Sequence, residues 1–238
     1  MTVYVYAMVG PDHPAKLDGL TGVGATPTPL RTVRGERAVA VVGDAPKDLR
    51  AKRRDLNAHQ EVLAKLSEQG TVLPLRFGAL AGSEEEVAGN LRDRAEAYQR
   101  QLAAVNGKAE YNLRAAQDED TVVRQVLQVN PEVRRLARSG VATSGDLKDR
   151  IALGEAVHAD VAERQRRITD EVVGALDVFA ADRRQGEAVA EDFLNVSFLV
   201  DRSRGGEFAA EARRLSERLE ADGVRLRLHG PLPPYSFV

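Results

Sequence analysis

The chain has 238 residues, 43% of them hydrophobic, which is enough to build a core in one large or two small domains and argues against wholesale disorder. Thirty-four basic and 36 acidic side chains nearly cancel to a net charge of −2, so the basic excess of a dedicated nucleic-acid binder is missing. There is no cysteine, which excludes disulfides, thiolate metal sites and cysteine nucleophiles and is compatible with a reducing cytoplasm. The apolar runs fall short of the roughly 18–20 residues that span a bilayer. Met1-Thr-Val-Tyr-Val-Tyr also lacks the charged start and apolar run of a secretory leader. A soluble cytoplasmic protein with no membrane span is expected.

Val3, Val5, Ala7 and Val9 alternate with Tyr4, Tyr6 and Met8. Both sets are apolar, as in a strand buried on two faces. Residues 10–30 are rich in glycine and proline and read as loop, with room for one short helical turn. Leu30–Arg34 and Ala38–Val42 flank Gly35-Glu36 and predict a hairpin. From Asp48 to Gln69, Leu49, Leu56, Val62, Leu63 and Leu66 share one helical face, and Gly70 stops the helix. Thr71–Leu75 reads as a short strand, with Pro74 placing it at an edge or strand end.

Gly78-Ala-Leu-Ala-Gly82 has the composition of a linker. Ser83 followed by three glutamates starts the next helix, because serine caps free amides and acids suit the positive terminus. Helical spacing then runs through Val87, Leu91, Ala95, Tyr98, Leu102 and Val105 to Asn106-Gly107. Ala109, Tyr111 and Leu113 alternate with polar residues as a half-buried strand. Two short helices follow, Glu119–Val129 and Pro131–Arg138. From Ser144 a heptad-like seam takes Leu147, Ile151, Gly154, His158, Val161, Gln165, Ile168, Val172, Ala175 and Phe179. It predicts a helix about 50 Å long, packed within this chain or paired with a second copy. A strand at Phe193–Val200, a helix from Gly205-Gly206 to Gly223 and a strand at Val224–Leu228 complete the pattern. Two α+β domains are expected, 1–82 and 83–238.

The last nine residues, Gly-Pro-Leu-Pro-Pro-Tyr-Ser-Phe-Val, carry no charged side chain. Proline removes backbone donors, so this tail cannot join the interior of a sheet and is expected to run extended on an apolar surface of this protein or of a partner.

Chemical motifs are sparse. His13, His59, His158 and His229 show no metal-ligand spacing, and His59 and His158 fall near the apolar faces of helices, where packing explains them. Gly19–Gly24 lacks the Gly-Lys-Ser/Thr ending of a phosphate loop. Basic clusters at Arg50, Lys52, Arg53 and Arg54 and at Arg164, Arg166 and Arg167 have acidic neighbours and read as salt-bridged helix faces. No catalytic, cofactor or metal residues are assigned.

Five segments, in this order, resemble one family. They are Tyr4-Val-Tyr-Ala-Met-Val9, His59, Val72-Leu-Pro-Leu-Arg-Phe-Gly78, Phe198-Leu-Val200 and Gly230-Pro-Leu-Pro-Pro-Tyr-Ser-Phe237, and together they look like the gas vesicle accessory proteins GvpF and GvpL. The family tail usually has tryptophan where Leu232 stands, and threonine is common where Ala79 stands. The resemblance implies a two-domain α+β fold, with a modified ferredoxin-like N-terminal domain and a C-terminal α+β domain carrying the long helix. It implies a non-enzymatic assembly factor or minor component of gas vesicles, needing no cofactor. Its partners would be the hydrophobic shell protein GvpA and other accessory proteins. The motif residues Leu73, Pro74, Leu75, Arg76, Phe77, Pro233, Pro234, Tyr235 and Phe237 become the candidates for partner binding. The rival readings are a ligand-sensing ferredoxin-like module using the loop Gly19–Leu30, and an enzyme using His59 or His158.

Overall fold

The computed structural model describes residues 1–26, 28–142, 147–188 and 191–238. Two compact units emerge: Met1–Tyr111 with Leu199–Ser203 and Gly230–Val238, and Asn112–Phe198 with Arg204–His229. The expected division at residue 82 falls inside the first unit, which also takes the terminal tail.

The first unit is built on strands β1 (Val3–Val9), β2 (Arg31–Arg34), β3 (Val39–Asp44), β4 (Val72–Pro74) and β5 (Leu80–Ala81). Their order is β2-β3-β1-β4, with β5 also paired to β1. This is a ferredoxin-like strand order with two modifications. A loop replaces the helix between β1 and β2, and helices cover both faces. Helix α1 (Arg53–Gln69) buries Val62, Leu63 and Leu66 against Tyr4, Tyr6, Val39 and Val41. Helices α2 (Glu84–Asp93) and α3 (Ala95–Val105) bury Val87, Leu91, Leu102 and Val105 against Val3, Val5, Ala40 and Val42.

Several expectations change here. Strict alternation along β1 fails because a register shift lies between Val5 and Ala7. Ala7 and Val9 consequently join the tyrosine face, and Met8 joins the valine face. Gly78–Gly82 is no linker, since β5 within it pairs with Val3 and Tyr4. The helix expected from Asp48 begins at Arg53, because Lys52 is still extended. The single helix expected over 83–105 divides at Arg94, with no glycine or proline to announce it. Its start is as expected: the Ser83 hydroxyl accepts from the Glu86 amide at 3.3 Å. The hairpin also stands, with Arg34 opposite Val39.

The second unit contains α4 (Glu119–Val129), α5 (Pro131–Ala142), α6 (Leu147–Asp177), β7 (Ala180–Gln185) and α7 (Gly205–Glu220). It holds most of β6 (Lys108–Gln117), β8 (Asp192–Asp201) and β9 (Val224–Leu232). These strands form an antiparallel sheet ordered β7-β8-β6-β9. The Phe198 and Phe208 rings meet at 5.4 Å, and Phe179 meets Phe208 edge-on at 6.4 Å. Val122, Val126 and Val133 form a satellite core with Leu153, Val157 and Val161 of α6.

That satellite core overturns half of the seam. Leu147, Ile151, Gly154 and His158 are exposed, and the first half of α6 packs through Leu153, Ala156 and Val157 instead, together with Val161 of the expected seam. The second half does bury Ile168 and Val172, joined by Leu176. A straight helix drifts about 20° per heptad against a 3.5-residue repeat, and two different sets of neighbours use two different faces. Ser144, from which the seam is expected to start, lies outside the described residues. Strand β7 was not expected, because Ala-Ala-Asp-Arg-Arg-Gln carries no apolar alternation; it is a polar edge strand. Strand β9 runs to Leu232 and so takes in the first three residues of the tail. β9 is an edge strand, which tolerates Pro231, so the tail enters the sheet only at its edge and not in its interior.

Candidate functional site

The two family-like motifs meet in the first unit. After β4 the chain leaves the sheet for Leu75–Ala79 and rejoins it as β5. The Leu75 amide donates to the Tyr6 carbonyl at 2.9 Å, and the Val5 amide donates to the Ala79 carbonyl at 2.9 Å. Gly78 turns the excursion back with φ +93°, a conformation that strains any other residue. Leu73 and Pro74 are buried in β4. Leu75 packs on the valine face of the sheet and Phe77 on the tyrosine face. Arg76 is exposed and makes no ion pair among the described residues.

His59, 3% exposed, lies at the centre of the tyrosine face. Its Nε2 is 3.1 Å from the Leu75 carbonyl, which can only accept, so Nε2 carries the proton. The Tyr4 hydroxyl therefore donates to Nδ1 at 2.9 Å and accepts from the Gly78 amide at 3.1 Å. The Tyr235 hydroxyl oxygen, 3.3 Å from Nε2, shares the same proton. The Tyr6 ring stacks on the imidazole, and Phe77 meets both Tyr4 and His59 edge-on. Burial holds the His59 imidazole below its ordinary value, with the Leu75 carbonyl opposing part of the shift. Burial pushes the Tyr6 and Tyr235 phenols up to about 12, and Tyr4 further in the same direction. The network is thus neutral near pH 7. Its polar atoms tie the motif, the first strand, the helix and the tail together, and His59 is the hydrogen-bonded core histidine that the sequence suggests.

The tail is clamped beside it. Pro233 and Pro234 are buried, and Tyr235–Phe237 forms one 3-10 turn rather than an extended run. Tyr235 packs on the tyrosine face of the sheet and Phe237 on the valine face. Between them, Ser236 donates its amide and its hydroxyl to the two oxygens of Glu110, at 2.8 and 2.7 Å. Glu110 is 4% exposed, and such charge-assisted bonds are the strong ones. At the tail's entry, a Cβ on Gly230 would come within 2.6 Å of the Tyr111 ring, so only glycine fits. Sequence reasoning missed Glu110, because its partner lies 126 positions away.

A groove of about 480 Å³ lies between α1 and the tail. Leu63 and Ala64 wall one side, Leu232, Pro233 and Tyr235 the other, and Arg202 also lines it. Arg202 is held by the Ser67 carbonyl and hydroxyl, at 2.9 and 2.8 Å. It has no carboxylate partner among the described residues. Neither Arg202 nor the groove carried a sequence signal.

The other candidates have structural explanations. The Gly22–Gly24 loop is drawn onto the core: the Tyr6 hydroxyl accepts from Val23 and the buried Asp55 carboxylate accepts from Gly24. His13 caps the end of α1, bonded to the Leu66 carbonyl at 3.0 Å. His158, expected near an apolar face, is exposed, as is His229. Arg54 and Arg166 pair with Asp55 and Glu163, as expected of salt-bridged helix faces. Among the described residues no group of three or more His, Asp or Glu side chains is placed to hold a metal. No helix described is long and apolar enough to cross a membrane.

Comparison with known proteins identifies the lineage. The family model described as gas vesicle synthesis protein GvpL/GvpF matches residues 2–238. The chain belongs to the GvpL/GvpF family. It is 40% identical to gas vesicle protein F of Streptomyces sp. (strain CB03234) over 239 residues, covering the whole of both chains. Against gas vesicle protein L of the same strain it is 27% identical, covering 98% of this chain and 91% of that protein. The crystal structure of GvpF from Microcystis aeruginosa has a TM-score of 0.81 at 22% identity, covering 99% of this chain and 98% of that one. GvpF from Anabaena sp. PCC7120 gives 0.86 at 17% identity, covering 99% and 97%, so the GvpF fold is kept where little sequence is. Membership in the GvpL/GvpF family assigns the chain a gas vesicle-related role.

Proposed function

We propose that this protein is a non-enzymatic gas vesicle assembly factor, or minor vesicle component, that binds the hydrophobic shell protein GvpA. One observation carries the reading beyond family membership. The family motifs use their polar atoms to hold one another in place, and they leave an apolar surface along α1 and the tail. A subunit destined for an apolar wall exposes greasy surface before assembly and aggregates. A folded carrier that offers complementary apolar contact delays that aggregation without making or breaking a bond. The protein then works in the cytoplasm and at the growing vesicle, alongside other accessory proteins.

The test is capture. A tagged full-length chain from vesicle-producing cells is expected to co-purify with GvpA, and deletion of its gene is expected to abolish vesicles. Normal vesicles in the deletion strain together with no GvpA in the eluate would overturn the proposal.

A further inference from the structure

We infer that the groove between α1 and the C-terminal tail is the docking site for an apolar segment of the shell subunit that carries a carboxylate, and that Arg202 reads that carboxylate. This deepens the proposed function and rests on it.

Three observations lead to this occupant. First, the volume of about 480 Å³ lies within the roughly 300–1,000 Å³ of ligand pockets, and the side chains of Leu63, Ala64, Leu232 and Pro233 make its walls apolar. Second, Pro231 and Pro233 lack backbone N–H groups, so the tail wall is a poor template for strand addition. The occupant must therefore present side chains, as one face of a helix does. Third, beside the polar Gln60, Ser67 and Glu68, the lining includes Arg202, a guanidinium that Ser67 orients and that makes no ion pair with a carboxylate of the described residues. An arginine fixed on one nitrogen keeps its other N–H groups available in a rigid fork suited to a carboxylate. Glu68 also lines the groove, but its carboxylate pairs with Lys65 at 2.9 Å and not with Arg202. Apolar walls with one unneutralised cation complement an apolar segment with an acidic side chain within a turn of it. The bonds holding the tail in place, from Ser236 to Glu110 and from Tyr235 to His59, keep this wall formed before any partner arrives.

The experiment places a photo-crosslinking benzoylphenylalanine at Ala64 in the full-length chain, in cells that make gas vesicles. Ala64 is exposed on α1, so the probe leaves the core untouched. The expected result is an adduct with the mass of one shell subunit, reduced at least fivefold by Arg202→Ala. In parallel, Ala64→Trp fills the groove and is expected to cut capture of the shell protein at least fivefold while leaving the melting temperature unchanged. No adduct, an adduct with another protein, or an adduct with a second copy of this chain overturns the assignment, as does wild-type capture by Ala64→Trp. An adduct insensitive to Arg202→Ala overturns the role of Arg202. If the unmodified chain captures the shell protein but the groove tests fail, the groove alone is wrong. If the unmodified chain captures none, the proposed function falls and the groove assignment with it.

Discussion

The terminal tail and the first half of α6 carry similar apolar side chains and meet opposite fates. Tyr235 and Phe237 pack onto the two faces of one sheet, while Leu147 and Ile151 stay 68% and 51% exposed. Hydrophobicity does not separate them. The tail has polar anchors at fixed points, Glu110 for Ser236 and His59 for Tyr235, so its rings are held in one place. In the first half of α6, Leu153, Ala156, Val157 and Val161 meet the satellite core, while Leu147 and Ile151 lie on a face that meets no core. Apolar surface is buried where neighbouring chemistry fixes a register, and not merely where a repeat is regular.

Removing Pro233–Val238 is the strongest way to break this contrast. It takes both rings away and leaves Glu110 buried without Ser236, and it should cost about 3–5 kcal/mol. Urea unfolding checks it, and an unchanged midpoint would mean that the tail is not anchored. Glu110→Ala isolates the anchor from the rings and is expected to cost about 2 kcal/mol by the same measurement. Gly78→Ala asks whether the motif's excursion depends on its turn; with φ at +93° the cost should be about 1 kcal/mol or a little more.

Acid should act more gently. His13 and His59 are both held below the ordinary histidine value, chiefly by burial. The unfolded chain then takes up protons first. The stability these groups contribute is present above about pH 6.5 and is lost as pH falls through that value toward their folded ones. Chemical denaturation at pH 7.5 and 5.5 should show the lower stability at 5.5, with a smaller drop in His13→Gln; equal stabilities at both pH values would reject the idea. The smallest effect is expected from Leu147→Gln and Ile151→Gln, within about 0.5 kcal/mol of the parent. A larger loss would show that this face of α6 is covered in solution.

Local chemistry made much of the fold legible. The Gly35 hairpin, the Ser83 cap, the Gly70 stop and the helix α7 all follow from residues within a few positions of one another. What escaped was set by distant partners. β5 looked like a linker because its pairing with Val3 and Tyr4 has no local sign. β7 has no apolar alternation because it is a polar edge strand. The division at Arg94 has no breaker residue, and the shift in β1 leaves two apolar faces that look the same in either register. At the candidate site, Tyr235, Phe77 and His59 were visible as residues, but their convergence on one imidazole was not.

From the amino-acid order alone came the α+β class, the family, and the fact that the tail must lie on something apolar, since charge, periodicity and proline act over short stretches. Tertiary structure alone decided what the tail lies on, which face of α6 is buried, and that Ser236 meets Glu110 and Arg202 meets Ser67. Those outcomes depend on groups brought together from 126 and 135 positions apart, and only the folded chain sets such distances.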